Sequence, residues 1–167
     1  MKKKFEKKIL VFLLGFGILS FMNILRKPPI KDWLIIFLVK GYISSILDKF
    51  VVKKGYIKYP VKLINLFDTS FIFDYLLFPI SCVYYNFATF KKSWRTIFIR
   101  VLYFSIPMTI IEQWLEKKTN LIQYRKGWNW LFTFVSLNST FLLVRVIISL
   151  VRRKAETESE LEELPEH

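Results

Sequence analysis

The sequence predicts an all-α fold, a polytopic transmembrane bundle of about five helices. Three observations predict it. Hydrophobic residues make up 53% of the 167 residues and aromatics 18%, more than a soluble domain of this size absorbs into its core. The apolar residues fall in long runs. The 26 Lys and Arg punctuate those runs instead of interleaving with them. Basic clusters at the ends of spans suit anionic lipid headgroups, whereas a nucleic-acid face would carry them along one surface. The partners read from this pattern are membrane lipids and protein partners in a membrane complex, with no nucleic acid.

The first element follows a basic segment, 1–8, that carries five Lys. The apolar run 9–25 looks like a signal peptide but is long for one, and Arg26-Lys27-Pro28-Pro29 stands where a small-residue cleavage site belongs. It reads as a retained signal-anchor helix, about 25 Å long at 1.5 Å per residue. The two prolines end it. Asp32 is placed to cap the second span, about 33–52, which Lys53-Lys54-Gly55 closes. The third span, about 67–87, starts at Asp68-Thr69-Ser70, with Asp68 as its expected N-cap, and holds Pro79. The fourth, about 97–115, holds Pro107. Both prolines predict kinks. The fifth, 130–151, stops at Arg152-Arg153-Lys154, and the tail to residue 167 carries six Glu and is expected to be disordered. No internal repeat is apparent.

Five spans put the N-terminus, the loop after span 2 and the loop after span 4 on one side. Counting Lys49 with the loop after span 2, those segments hold five, five and four Lys or Arg, against three in each segment of the other side. The N-terminus is therefore expected in the cytoplasm, although Arg152-Arg153-Lys154 pulls the other way. The expected location is a cell membrane, multi-pass.

The stretches KGYISSILD (40–48), GYIKYP (55–60), FDYLLFPISCVYYN (73–86) and SIPMTIIEQWLEKKTNLI (105–122) resemble an uncharacterised family of small multi-span membrane proteins of endospore-forming Gram-positive bacteria. The resemblance covers about residues 26–150. It implies a bacterial membrane and a sporulation-linked setting, and it brings no activity and no catalytic residue.

Composition removes several chemistries. The one cysteine, Cys82, and the one histidine, His167 at the chain end, leave no Cys/His zinc site and no Ser-His-Asp triad. Five glycines leave no Gly-rich phosphate loop. The acids are scattered over several helices, unlike the tight Asp clusters of phosphoalcohol-transfer enzymes, and no Gly-x-Gly-Asp marks an intramembrane aspartyl protease. No catalytic residue, cofactor or metal is assigned.

Ionisable residues inside spans carry the remaining information. Counting from the span ends puts Asp48, Asp68, Asp74 and Glu112 in one half of the bilayer and Lys40, Arg100 and Arg145 in the other. At 100° per residue, Asp74, Ser81 and Tyr85 share a face. So do Ser105 and Glu112, and Asn138, Arg145 and Ser149. Each stripe is expected to face the bundle interior. Asp48 and Glu112 lie within reach of Lys49, Lys53, Lys54, Lys117 or Lys118 as structural ion pairs. Asp74 is the residue that helix capping does not explain. Asp74, Glu112 and Asp48 are thus the candidate intramembrane polar or ion site, for a proton or a hard cation. Lys40 and Arg145 are the candidate charge partners. The functional reading is a non-enzymatic scaffold or subunit of a membrane complex. The alternative is a small transporter, channel or ion-binding protein using these carboxylates.

Overall fold

The computed structural model describes residues 2–61 and 70–162. Asp68, and with it the expected cap of the third span, lies outside the described residues. Among them the chain is all-α apart from one short ribbon. Helix α1 spans Lys2–Leu25 and α2 spans Ile30–Lys54. A π-helical segment, Phe73–Leu77, runs into α3, Phe78–Ala88. Helix α4 spans Trp94–Lys118 and α5 spans Trp130–Glu162. Strands β1 (Ile57–Lys58) and β2 (Gln123–Tyr124) pair antiparallel, with Ile57 opposite Tyr124 and Lys58 opposite Gln123.

Local sequence accounts for most boundaries. Gly55 ends α2 in the left-handed conformation (φ 77°), where its N–H reaches the carbonyls of Val51 and Val52. Asn129 starts α5, its side-chain Oδ1 accepting the N–H of Leu131 at 2.9 Å. The π segment lies immediately before Pro79. Proline has no N–H for the carbonyl four residues back and its ring crowds that carbonyl, so the preceding turn widens and the Phe78 N–H bonds Phe73 O, five residues back. Helix α4 continues through Pro107.

Two expectations are corrected. Asp32 is not the cap of α2. The helix starts earlier, after Pro29, and Asp32 sits in its first turn, where Arg152 donates to its Oδ2 at 2.6 Å. The acidic tail is helical in its first part, where α5 runs on to Glu162, and its residues 163–167 lie outside the described residues. Ala155 and the following glutamates are good helix formers and prolong a helix already nucleated by its apolar part.

The helices alternate in direction. Glu6, near the start of α1, accepts from the backbone N–H and Nδ2 of Asn120, beyond the end of α4, at 2.8 and 3.0 Å. The ribbon ties the chain after α2 to the chain after α4. At the opposite end, the Arg152–Asp32 pair joins α5 to the start of α2. There too, Arg145 Nη2 donates to Thr89 O, beyond α3, at 3.1 Å. One apolar cluster, around Trp33, Ile36, Tyr85, Phe141 and Val144, fills the interior towards that end. A second, around Leu10, Phe73, Leu115 and Ile122, lies towards the ribbon.

The outside is apolar. Leu19, Ile99 and Tyr103 are 73%, 67% and 76% exposed. At about 25 cal/mol per Å², a surface this apolar belongs against hydrocarbon. Among the described residues, three stretches are long and apolar enough to cross a membrane: Lys4–Leu25, Trp94–Lys118 and Trp130–Ser159. Helix α2 has the length of α4 but carries Lys40, Asp48 and Lys49, and the third helical stretch is short and broken by its π turn. Those interruptions are the site described next.

Candidate functional site

Three elements bring their polar residues to one place inside the bundle. Lys40, Ser44 and Asp48 stand one helical turn apart on α2, as residues at i and i+4 do. Asp74 is held in the π segment, buried at 2% exposure. Glu112 lies six residues before the end of α4. With Thr133, Ser136 and Thr140 of α5 they line a cavity of about 70 Å³. A water needs about 10–15 Å³ of such space, so the cavity holds several small polar particles. The chain between α2 and the π segment and the chain between α4 and α5 close it from the ribbon side with Ile57, Tyr59, Ile122 and Trp128.

The hydrogen bonds are specific. The Tyr59 hydroxyl donates to Asp48 Oδ1 at 2.7 Å. The Tyr124 hydroxyl donates to Glu112 Oε1 at 2.7 Å and the Thr133 hydroxyl to the same oxygen at 2.9 Å. Trp128 Nε1 donates to Thr133 Oγ1 at 3.1 Å. Burial and the neighbouring Asp48 hold the Tyr59 phenol well above its usual range, and burial and Glu112 do the same to Tyr124. Both phenols are therefore donors at neutral pH. The Asp48 and Asp74 carboxyls line the same cavity. Oδ2 of each, and Ser44 Oγ, are buried without a partner among the described residues. A proton or an ammonium N–H between the two acids satisfies both oxygens.

The expected charge partners separate. Lys40 belongs to the cavity. Its ammonium donates to Thr140 Oγ1 at 2.6 Å and sits 5.2 Å from the Phe141 ring centroid. It feels the Asp74 charge but, among the described residues, forms no ion pair with it. Arg145 is not a partner of Asp74. It points to the far end, giving Nη1 to Ser149 Oγ and Nη2 to Thr89 O. Arg100 donates to Ala88 O at the same end. Nor, among the described residues, do Asp48 and Glu112 pair with the flanking lysines: their donors are Tyr59, Tyr124 and Thr133, and the lysines are exposed.

The tyrosines are what sequence reasoning missed, and a signal for them exists. Residues 47–59 and 111–124 repeat one pattern: an aliphatic residue, an acid, a spacer, an aromatic, then Lys-Lys and an Ile-x-Tyr. Asp48, Lys53-Lys54 and Tyr59 correspond to Glu112, Lys117-Lys118 and Tyr124, with one extra residue in the second copy. The ribbon pairs the two copies about Lys58 and Gln123, so the two carboxyl–tyrosine pairs are related by a local pseudo-two-fold. The expectation of no internal repeat is thereby corrected. The repeat is short and degenerate, and only the strand pairing exposes it.

Among the described residues no three Asp, Glu, Cys or His side chains converge closely enough to hold a metal ion. The chemistry that fits is a proton or an ammonium group hydrogen-bonded to carboxyl, hydroxyl and phenol oxygens. No family model, no curated protein and no solved structure matches the chain.

Proposed function

We propose that this chain is a five-span membrane protein that binds a proton or an ammonium-type cation at Asp48, Asp74 and Glu112. The observation that carries the reading is the excess of buried acid. Three carboxyls and a single ammonium, Lys40, face one cavity. Uncompensated charge inside a bilayer costs several kcal/mol, so the site is completed by protons or by a bound cation. A scaffold needs no such site, since apolar side chains pack a bundle at lower cost. The exposed apolar surfaces of α2 and the alternating helix directions support membrane placement of all five helices. The location is then a bacterial cell membrane, with the N-terminus and the ribbon cytoplasmic by Lys and Arg distribution.

The test is unfolding of the protein in non-ionic detergent between pH 4 and 9, with and without ammonium and methylammonium. A ligand at 100 times its Kd raises stability by about 2.7 kcal/mol. The wild type is expected to respond to pH or to the cations, and Asp74→Asn with Glu112→Gln to lose that response. Equal responses from both proteins would sink the reading.

A further inference from the structure

A second cavity adjoins the acidic one. It is apolar, about 160 Å³ in volume, and lies between Leu13 and Phe16 of α1, Leu77 of the π segment, and Met108 and Ile111 of α4. Helix α1 packs on α2, α3 and the π segment, and between it and α4 this groove remains. Its mouth is on the outer surface, where Phe16 and Ile111 are 56% and 51% exposed. Its inner wall is shared. Phe73, Phe78 and Glu112 line both cavities.

A carboxylate in the wall of a groove that faces hydrocarbon is costly unless something polar comes to it. Tyr124 and Thr133 both donate to Glu112 Oε1, which leaves Oε2, among the described residues, without a donor. Beyond it lie Asp48 and Asp74, each with a buried oxygen that has no partner among the described residues. The groove therefore leads from lipid, past two phenylalanines, to a cavity where three carboxyls outnumber the single ammonium of Lys40. A free small cation has no use for the apolar part, and a neutral hydrocarbon has none for the acids.

We propose that the ligand is a single-chain amphiphile with a primary ammonium head, its tail between α1 and α4 and its head beside Glu112, facing Asp48 and Asp74. This rests on the cation-binding reading and specifies the cation. Entry is lateral, from the bilayer, and Phe73 and Phe78 separate the two compartments. Lys40, the one cation of the cavity, donates to Thr140 and, among the described residues, forms no ion pair with the acids, which leaves them to the ligand.

The experiment uses the full chain in non-ionic detergent and three probes: dodecylamine, dodecanol and ethylamine. A charge-assisted hydrogen bond to a buried carboxylate corresponds to about tenfold in affinity or more. Dodecylamine is therefore expected to raise the unfolding midpoint at concentrations about tenfold below those at which dodecanol does. Glu112→Gln should erase that advantage. A dodecylamine carrying a diazirine midway along its chain should label Leu13, Phe16, Met108 or Ile111, a readout that survives if the variant fails to fold. Ethylamine matching dodecylamine would overturn the amphiphile and leave the cation site standing. Dodecanol matching dodecylamine would overturn the role of the head. Label spread evenly over the outer apolar surface would reduce the groove to ordinary lipid contact and overturn the proposal.

Discussion

Tyr59 donates its hydroxyl to Asp48 at 2.7 Å from a segment that lies outside the helix carrying the acid. The connection after α2 is thus a working wall of the cavity. Its counterpart, Tyr124 on Glu112 at the same 2.7 Å, comes from the other strand of the ribbon. Each phenol spares a buried carboxyl an unmet acceptor. Tyr59→Phe or Tyr124→Phe should cost about 1–3 kcal/mol. The two changes together should exceed the sum, because both weaken closure at one ribbon. Unfolding midpoints in detergent for the four proteins check this, and simple additivity would show that the ribbon is not a unit.

Alkaline pH should act through the same phenols. Their folded-state pKa values are raised by burial and by Asp48 or Glu112. Both states are protonated below the unfolded value, about 10, so the phenols give no pH dependence there. Above it the unfolded chain releases protons that the folded chain retains, and stability falls as pH rises. The wild-type midpoint should drop more steeply between pH 9.5 and 11.5 than that of the double Phe variant. Lysine titration is common to both proteins and cancels in the comparison.

Asp74 and Arg145 should behave independently. They sit in different layers of the bundle, and Arg145 is occupied by Thr89 and Ser149. Losses from Asp74→Asn and Arg145→Gln should add within about 0.5 kcal/mol. Asp74→Asn itself should cost little, since its amide offers a donor to the open oxygen of Asp48. A coupling above about 1 kcal/mol between 74 and 145 would contradict this arrangement.

The Arg152–Asp32 pair should couple measurably. The contact is 2.6 Å with side chains 14% and 23% exposed, and the guanidinium also lies 4.6 Å from the Phe90 ring centroid. A double-mutant cycle on Arg152→Ala and Asp32→Ala should return about 1 kcal/mol, reduced in high salt. Arg152→Lys should recover part of it, because Lys keeps the charge but loses the planar stacking on Phe90.

Membrane placement is tested by cysteine labelling in a Cys82→Ala background. Cysteines at Lys58 and Lys126, on the ribbon side, should react from the same face of the membrane, and one at Thr157 from the other. Labelling of all three from one face would break the five-span count. Removal of residues 155–167 should leave the unfolding midpoint unchanged, because residues 155–159 of the α5 extension are exposed.

The sequence by itself determined that this chain is helical and built for a bilayer, because runs of 17 to 22 mostly apolar residues bounded by prolines and basic clusters admit few other solutions. It also placed Asp48, Asp74 and Glu112 towards one end, since depth in alternating helices follows from counting. Only the tertiary structure decided what those acids meet. Counting gives height along a helix but neither its rotation nor its neighbours, so Arg145 passed for a partner of Asp74 and the flanking lysines for partners of Asp48 and Glu112. The donors come instead from Tyr59 and Tyr124, eleven and twelve residues away, brought in by a ribbon too short to show in a hydropathy pattern. The π turn before Pro79 likewise follows from proline chemistry, but that it turns Asp74 into the cavity depends on packing between α2, α3 and α5. Long-range pairing of short segments is set by three-dimensional closure, and a one-dimensional pattern holds little record of it.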